Sequence, residues 1–279
     1  MLKRIITGVL AAAVLIPILI FSHTIVFPIA IAVVGVICLY EIFKCIGAEK
    51  RISLTVPAYL AALVFPFLMR YMQSAVSVAI IAAISALLYL IYVFIHIIWS
   101  HGNLAFSEAL TQYTLTMYIL VAMSSIIYVR DYSDIGKYIY LLIFLGAWIT
   151  DIFAYFTGVF FGKHKLIEDV SPKKTIEGSI GGIFFCALSF VVLGIITEIF
   201  FERNANIVFL VICGIIISVI SQVGDLIMSV IKRHYKIKDF GKIFPGHGGM
   251  LDRFDSILAV VLGMVCVCMF VSLTGITLI

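Results

Sequence analysis

The side chains best suited to chemistry lie toward the C-terminal end, where three aspartates frame a run of glycines and basic residues. Gln222, Asp225, Ser229 and Lys232 are spaced by three, four and three residues, so on a helix they form a polar stripe along an otherwise apolar segment. A carboxylate within such a segment marks a functional site by default, because charge taken toward hydrocarbon is costly unless paired or hydrated. Asp252 and Asp255 follow at i, i+3, which sets both carboxylates on one helical face within reach of a single cation. Hard oxygen donors of this kind suit magnesium, which binds through one or two protein carboxylates plus substrate phosphates. Capping a helix start accounts for one acid; two, joined by Asp225, are better accounted for by a metal held by Asp225, Asp252 and Asp255.

Between these acids lies Pro245-Gly246-His247-Gly248-Gly249. Glycines let backbone approach a ligand and present successive N–H groups to an anion, and the next helix start adds its own unpaired donors. His247 has three open roles: contact with phosphate, proton shuttling, or closing a turn. A second basic loop begins Phe161-Gly162-Lys163-His164-Lys165 and continues as Ser171-Pro172-Lys173-Lys174-Thr175-Ile176-Glu177-Gly178. Ser171 before Pro172 predicts a turn, Lys173 and Lys174 supply charge, and glycines open the following span. A lysine pair standing alone is a topology signal; beside a second loop of the same composition it points to phosphate binding. Asp151 lies midway along the preceding span, four residues before Tyr155, either as part of the site or as an acceptor for a neighbouring helix. Gln222 and Ser229 are similarly open between ligand contact and an interhelical hydrogen-bond ladder. Acids for a divalent ion, two basic loops for phosphates and a lipid setting make a phosphotransfer design. Such chemistry needs charge neutralisation and in-line positioning more than covalent catalysis.

Membrane helices must position these groups. Of 279 residues, 63% are hydrophobic and 12% charged, and the mean hydropathy is +1.21; soluble domains carry about a quarter charged residues. Against that background, residues 222–256 hold ten charges where about 4 are expected from the chain average. Polar breaks leave nine apolar stretches able, or nearly able, to cross a layer of about 30 Å at about 1.5 Å per helical residue. They run approximately over 5–22, 24–43, 53–69, 76–99, 113–129, 137–161, 179–201, 206–231 and 254–277. The expected fold class is therefore all-α: a polytopic integral membrane protein of about nine transmembrane helices. The third stretch is short and contains Pro57 and Pro66, which membrane helices tolerate when neighbours satisfy the freed carbonyls. The first lacks a small-residue cleavage pattern and reads as a retained anchor.

With a cytoplasmic N-terminus and nine alternating spans, 15 of the 19 Lys and Arg residues fall on the cytoplasmic side, leaving Arg70, Arg130, Lys137 and Arg203 outside. Ten of the 15 lie in the two suspected functional loops, but Lys3, Arg4, Lys44, Lys50 and Arg51 give the same orientation alone. The net charge of +4 thus speaks for topology and an anionic substrate rather than for nucleic acid. Residues 1–136 are expected to form about five N-terminal spans with few polar groups. Residues 137–279 form about four spans, with every intramembrane aspartate and both basic loops. The six cysteines lie in or at the ends of spans without metal-binding spacing, and read as packing residues.

From Ser229 onward the chain resembles the phosphatidate cytidylyltransferases, also called CDP-diacylglycerol synthases, whose signature is S-x-x-K-R-x(4)-K-D-x-G-x(3)-P-G-H-G-G-x-x-D-R-x-D. Ser229, Lys232, Arg233, Lys238, Asp239, Gly241, Pro245, Gly246, His247, Gly248, Gly249, Asp252, Arg253 and Asp255 match all fourteen specified positions. Gln222 to Asp225, and Ser171 to Thr175 with Glu177 and Gly178, are also similar to that family, so the resemblance covers roughly 146–256. It implies transfer of a cytidylyl group from CTP to phosphatidate, giving CDP-diacylglycerol and pyrophosphate, with magnesium at Asp225, Asp252 and Asp255 and a second cation, potassium or a further divalent ion. It also implies a nine-helix homodimer of the cell (inner) membrane whose site opens to the cytoplasm. On this reading Lys232, Arg233, Lys238 and Arg253 clamp phosphates, while Lys173 and Lys174 hold one end of a substrate. Two alternatives remain at this stage. Another CTP-dependent lipid phosphotransferase or kinase shares the chemistry, and an ion-coupled transporter would use Asp151 and Asp225 but leaves both glycine-rich loops unexplained.

Overall fold

Long apolar runs joined by short polar turns can satisfy their backbone inside a bilayer only as helices or closed barrels. Here they are helices. The computed structural model describes residues 2–72, 74–202, 204–246, 248–276 and 278–279, with backbone only for residues 2–7, 9, 11, 12 and 75. His247 and Arg203 lie outside the described residues, and of Lys3 and Arg4 only the backbone is described. The helices are α1 (Leu2–Ile20), α2 (Val26–Cys45), α3 (Ile52–Tyr71), α4 (Ala75–Trp99), α5 (Phe106–Asp131), α6 (Gly136–Phe161), α7 (Ile176–Phe201), α8 (Ile207–His234) and α9 (Leu251–Thr274). Among the described residues, the eight from α2 to α9 are long and apolar enough to cross a membrane. The nine stretches predicted from hydropathy thus each correspond to a helix, with ends that differ by about three residues at most except at α5, which starts at Phe106 instead of 113. Two short strands, β1 (Lys165–Ile167) and β2 (Ser171–Thr175), complete the described elements.

The chain forms two compact units, residues 1–128 with 237–253 and residues 129–236 with 254–279. In the first, α2 packs along α3, and Phe27, Leu39, Ile42, Phe43 and Leu54 are fully buried. Pro57 and Pro66 do not interrupt α3. Tyr89 of α4 donates to the Leu54 carbonyl (2.8 Å), which anchors α4 against α3 near its start. Large apolar side chains such as Leu88 (60% exposed) and Ile98 (71%) point outward from α4, as a lipid-facing surface requires.

In the second unit α7 packs along both α6 and α8. Apolar side chains gain little by leaving lipid for one another, so membrane helices associate through close backbone approach and interhelical hydrogen bonds. Both are present. Gly214 brings α8 against the α7 backbone so closely that a Cβ there would sit 2.6 Å from Ala187 Cα. Thr150 of α6 donates to Ser218 of α8 (2.9 Å), and both are completely buried. Four of the six cysteines, Cys38, Cys186, Cys213 and Cys268, are buried and free, in keeping with packing roles.

A Gly214→Leu substitution should force α7 and α8 apart, an overpacking cost of about 1–3 kcal/mol. Thermal unfolding in detergent should show a lower midpoint than wild type, whereas Ile216→Ala at an outward position on the same helix should leave it nearly unchanged.

Candidate functional site

Asp225 and Asp255 belong to the second unit, on α8 and α9 respectively. Lys174 pairs with Asp225, and Lys232 stands 3.8 Å from Asp255. Asp225, Asp151 and Lys232 all lie near Asp255. Ser256, which is buried, donates from its hydroxyl to Asp151 (2.9 Å) and from its N–H to Asp255 (2.9 Å). Three carboxylates thus share one neighbourhood with two lysines as counter-charges. Asp151, open in sequence between site and helix contact, accepts from Ser256 of α9.

The polar stripe of α8 forms as its spacing predicts, but its members differ. Gln222 donates to the Ser179 carbonyl of α7 (3.3 Å), the interhelical bond weighed from sequence. Ser229 is buried, and Lys232 reaches toward Asp255. Arg233 turns instead to the basic loop, donating to the Val170 carbonyl (3.3 Å).

That loop is a β-hairpin. Ser171-Pro172, expected to turn, instead begins strand β2: Ser171 pairs with Ile167 and Thr175 with Lys165, and the turn falls at residues 168–170. Proline fits because in a two-stranded ribbon one side of each strand needs no ladder donor. Side chains alternate along a strand, so Lys173 and Lys174 part company. Lys174 turns to Asp225, while Lys173 is exposed. Thr175 caps α7 by accepting from Gly178 N–H (3.1 Å). Glu177, in the first turn of α7, accepts from the N–H groups of Lys163 (3.0 Å) and His164 (3.2 Å) and contacts His164 Nδ1 (2.7 Å). This one carboxylate fastens the entry of the hairpin to its exit.

Asp252 belongs to the first unit with the glycine turn, Lys238, Asp239 and Arg253. Its Oδ2 accepts from the N–H groups of Phe240 (2.8 Å) and Gly249 (2.9 Å), and the side chain is buried. Gly246 and Gly248 have φ of +82° and +86°, the left-handed region where side chains are strained, so these two glycines make the turn possible. Phe244 N–H donates across it to the Gly248 carbonyl (2.9 Å). Lys238, Asp239 and Arg253 are exposed. The helix start was expected to offer its N–H groups to a ligand, yet Met250 (3.0 Å) and Leu251 (2.7 Å) donate to Glu41 of α2. Glu41 and Ser256 are the two polar residues that sequence reasoning missed. Glu41 carried a signal, a lone carboxylate in an apolar span; Ser256 carried none.

Among the described residues, no three or more Asp, Glu, His or Cys side chains gather into a ready metal cage. Asp225 and Asp255 nevertheless fit a hard divalent cation: they offer carboxylate oxygens only, and their counter-charges are the ammonium groups of Lys174 and Lys232, which a metal could replace.

Over residues 2–271 the chain matches the model of the cytidylyltransferase family. It is 35% identical over 257 residues to the phosphatidate cytidylyltransferase of Staphylococcus haemolyticus (strain JCSC1435), covering 92% of this chain and 95% of that one. With the phosphatidate cytidylyltransferase of Bacillus subtilis (strain 168) the identity is 34% over 266 residues, 93% and 94% of the two chains. A phosphatidate cytidylyltransferase from Staphylococcus saprophyticus is 44% identical over 133 residues, about half of each chain (48% and 50%).

Replacing Glu177 with Ala leaves the Lys163 and His164 N–H groups without that acceptor. Hydrogen exchange at those two amides should quicken by about tenfold, the equivalent of one charge-assisted hydrogen bond, while exchange in the middle of α8 stays as in wild type.

Proposed function

This chain belongs to the cytidylyltransferase family, and we propose that it transfers the cytidylyl group of CTP to phosphatidate, forming CDP-diacylglycerol and pyrophosphate in phospholipid biosynthesis. The observation that carries this reading is the family match over nearly the whole chain. It is a multi-pass membrane protein, and its relatives are bacterial, which supports the cell membrane as its location.

A phosphatidate oxygen bonds to the α-phosphorus of CTP while the bond from that phosphorus to the oxygen bridging to the β-phosphate breaks. Pyrophosphate carries away the electron pair. The attacking phosphate is already ionised at neutral pH, so no strong general base is needed. Electrostatics is the main demand, since two anions must meet where the surrounding dielectric is low. Lys232, Arg233, Lys238 and Arg253 supply positive charge for the phosphates, and Lys173 and Lys174 do so from the hairpin. Lys174 and Lys232 already neutralise Asp225 and Asp255, and the same ammonium groups would bind phosphate oxygens.

Magnesium held by Asp225, Asp252 and Asp255 would offset the charge of the triphosphate. For Asp225 and Asp255 the support is their counter-ions, Lys174 and Lys232, whose places a metal could take. Asp252 serves the loop as well, through two backbone N–H groups. Asp239 and His247 belong to this site through the family signature, and Ser171, Thr175, Gln222, Ser229 and Asp151 shape its walls. The distribution of Lys and Arg supports a site open to the cytoplasm. The family resemblance supports a homodimer and a second cation, potassium or a further divalent ion.

Purified protein given labelled CTP and phosphatidate should release pyrophosphate and form CDP-diacylglycerol in equal amounts, only when both substrates and a divalent cation are present. No product under any divalent metal would overturn the reading. Asp225→Asn and Asp255→Asn should each lower turnover by about 100-fold or more with thermal stability retained; near-normal rates in both would remove the metal assignment.

A further inference from the structure

We propose that Glu41, on α2 in the N-terminal part of the chain, is a positioning residue for the loop that carries Asp252 and Arg253. The inference rests on the cytidylyltransferase reading above and extends it to a residue that the C-terminal signature does not contain. Glu41 is only 2% exposed, in a helix of otherwise mostly apolar residues. A carboxylate so buried is unfavourable unless its oxygens are met by donors. They are met from across the sequence. Oε1 accepts from Met250 N–H (3.0 Å) and Oε2 from Leu251 N–H (2.7 Å), residues more than two hundred positions away. These are backbone donors at the start of α9, where unpaired N–H groups and the helix dipole favour an anion.

The surrounding loop is built to this carboxylate. A Cβ at Gly241 or at Gly249 would collide with the Glu41 carboxyl group. Neither glycine has the positive φ that marks Gly246 and Gly248. Their lack of a side chain is therefore accounted for by room for Glu41, a reason independent of the hydrogen bonds. The next N–H back, that of Gly249, goes to Asp252, as does that of Phe240. Two buried carboxylates thus take four N–H groups of one loop, Glu41 from outside it and Asp252 from within. Moving Glu41 shifts the backbone from which Asp252 and Arg253 project.

Charge and shape separate this role from simple packing. Both Glu41 oxygens accept, so Gln in its place would turn an amide N–H₂ toward a backbone N–H and lose one of the two bonds. In the full-length protein, Glu41→Gln should lower kcat by about tenfold to 100-fold, the effect of misplacing a group by roughly 1 Å, with a smaller change in KM for CTP. Hydrogen exchange at Met250 and Leu251 should quicken, with or without substrate. Gly241→Ala, which crowds the carboxylate without altering any charge, should give the same pair of effects. Leu39→Ala is the control: fully buried on the same helix, it should lower the thermal midpoint but leave kcat and exchange at Met250 and Leu251 near wild type when assayed well below that midpoint. The positioning role is overturned if Glu41→Gln and Gly241→Ala keep kcat within twofold, or if they lower the thermal midpoint alone as Leu39→Ala does. If Glu41→Gln does not fold, Gly241→Ala decides. Failure of the wild type to form CDP-diacylglycerol would refute the proposed function instead, and the exchange measurement would still report whether Glu41 holds the loop.

Discussion

A carboxylate drawn in among membrane helices must find a cation or several N–H and O–H donors, because hydrocarbon supplies neither. Two solutions to that constraint occur in this chain. Glu41 and Asp252 are met by backbone N–H groups, whose positions are tied to the course of the chain. Asp225 and Asp255 are met by Lys174 and Lys232, whose charges sit on long flexible stems. The first arrangement fixes a shape. The second rests on side chains with several rotatable bonds. The two pairs of acids thus differ in the kind of partner each has.

The same distinction explains the glycines. Gly246 and Gly248 serve backbone conformation, whereas Gly241 and Gly249 leave room for a carboxyl group. On α8, Gly214 serves close helix approach. Interhelical bonds such as Thr150 to Ser218 and Gln222 to Ser179 add direction to that packing, which apolar contact alone does not provide in lipid. They hold α8 between its neighbours and so set where Asp225 and Lys232 emerge from the helix.

For phosphoryl chemistry between two anionic substrates, this division of labour is useful. Backbone donors fixed in position suit such chemistry, because most of the electrostatic advantage of such sites arises from groups that need no reorganisation. Lys174 and Lys232 stand beside Asp225 and Asp255 as their counter-charges. The β-hairpin between α6 and α7 presents Lys174 toward Asp225 and Lys173 outward, so a doublet that is uniform in sequence has two environments.

By itself the sequence determined the helices and the chemical class. Nine apolar stretches were legible because a span needs about 20 apolar residues and charged loops interrupt them. The polar stripe on α8 was legible because its members recur with helical spacing, and the fourteen matched positions from Ser229 to Asp255 identified the family. What local pattern could not reveal is which donor meets which acid. The expected turn at Ser171-Pro172 became a strand because pairing with Ile167 was available, and strand pairing is a contact between segments rather than a property of either. The N–H groups at the start of α9 looked available for a ligand because their acceptor, Glu41, lies some two hundred residues earlier. Only the tertiary structure decided those partners, since hydrogen bonds depend on distances of about 3 Å in space and not on separation along the chain.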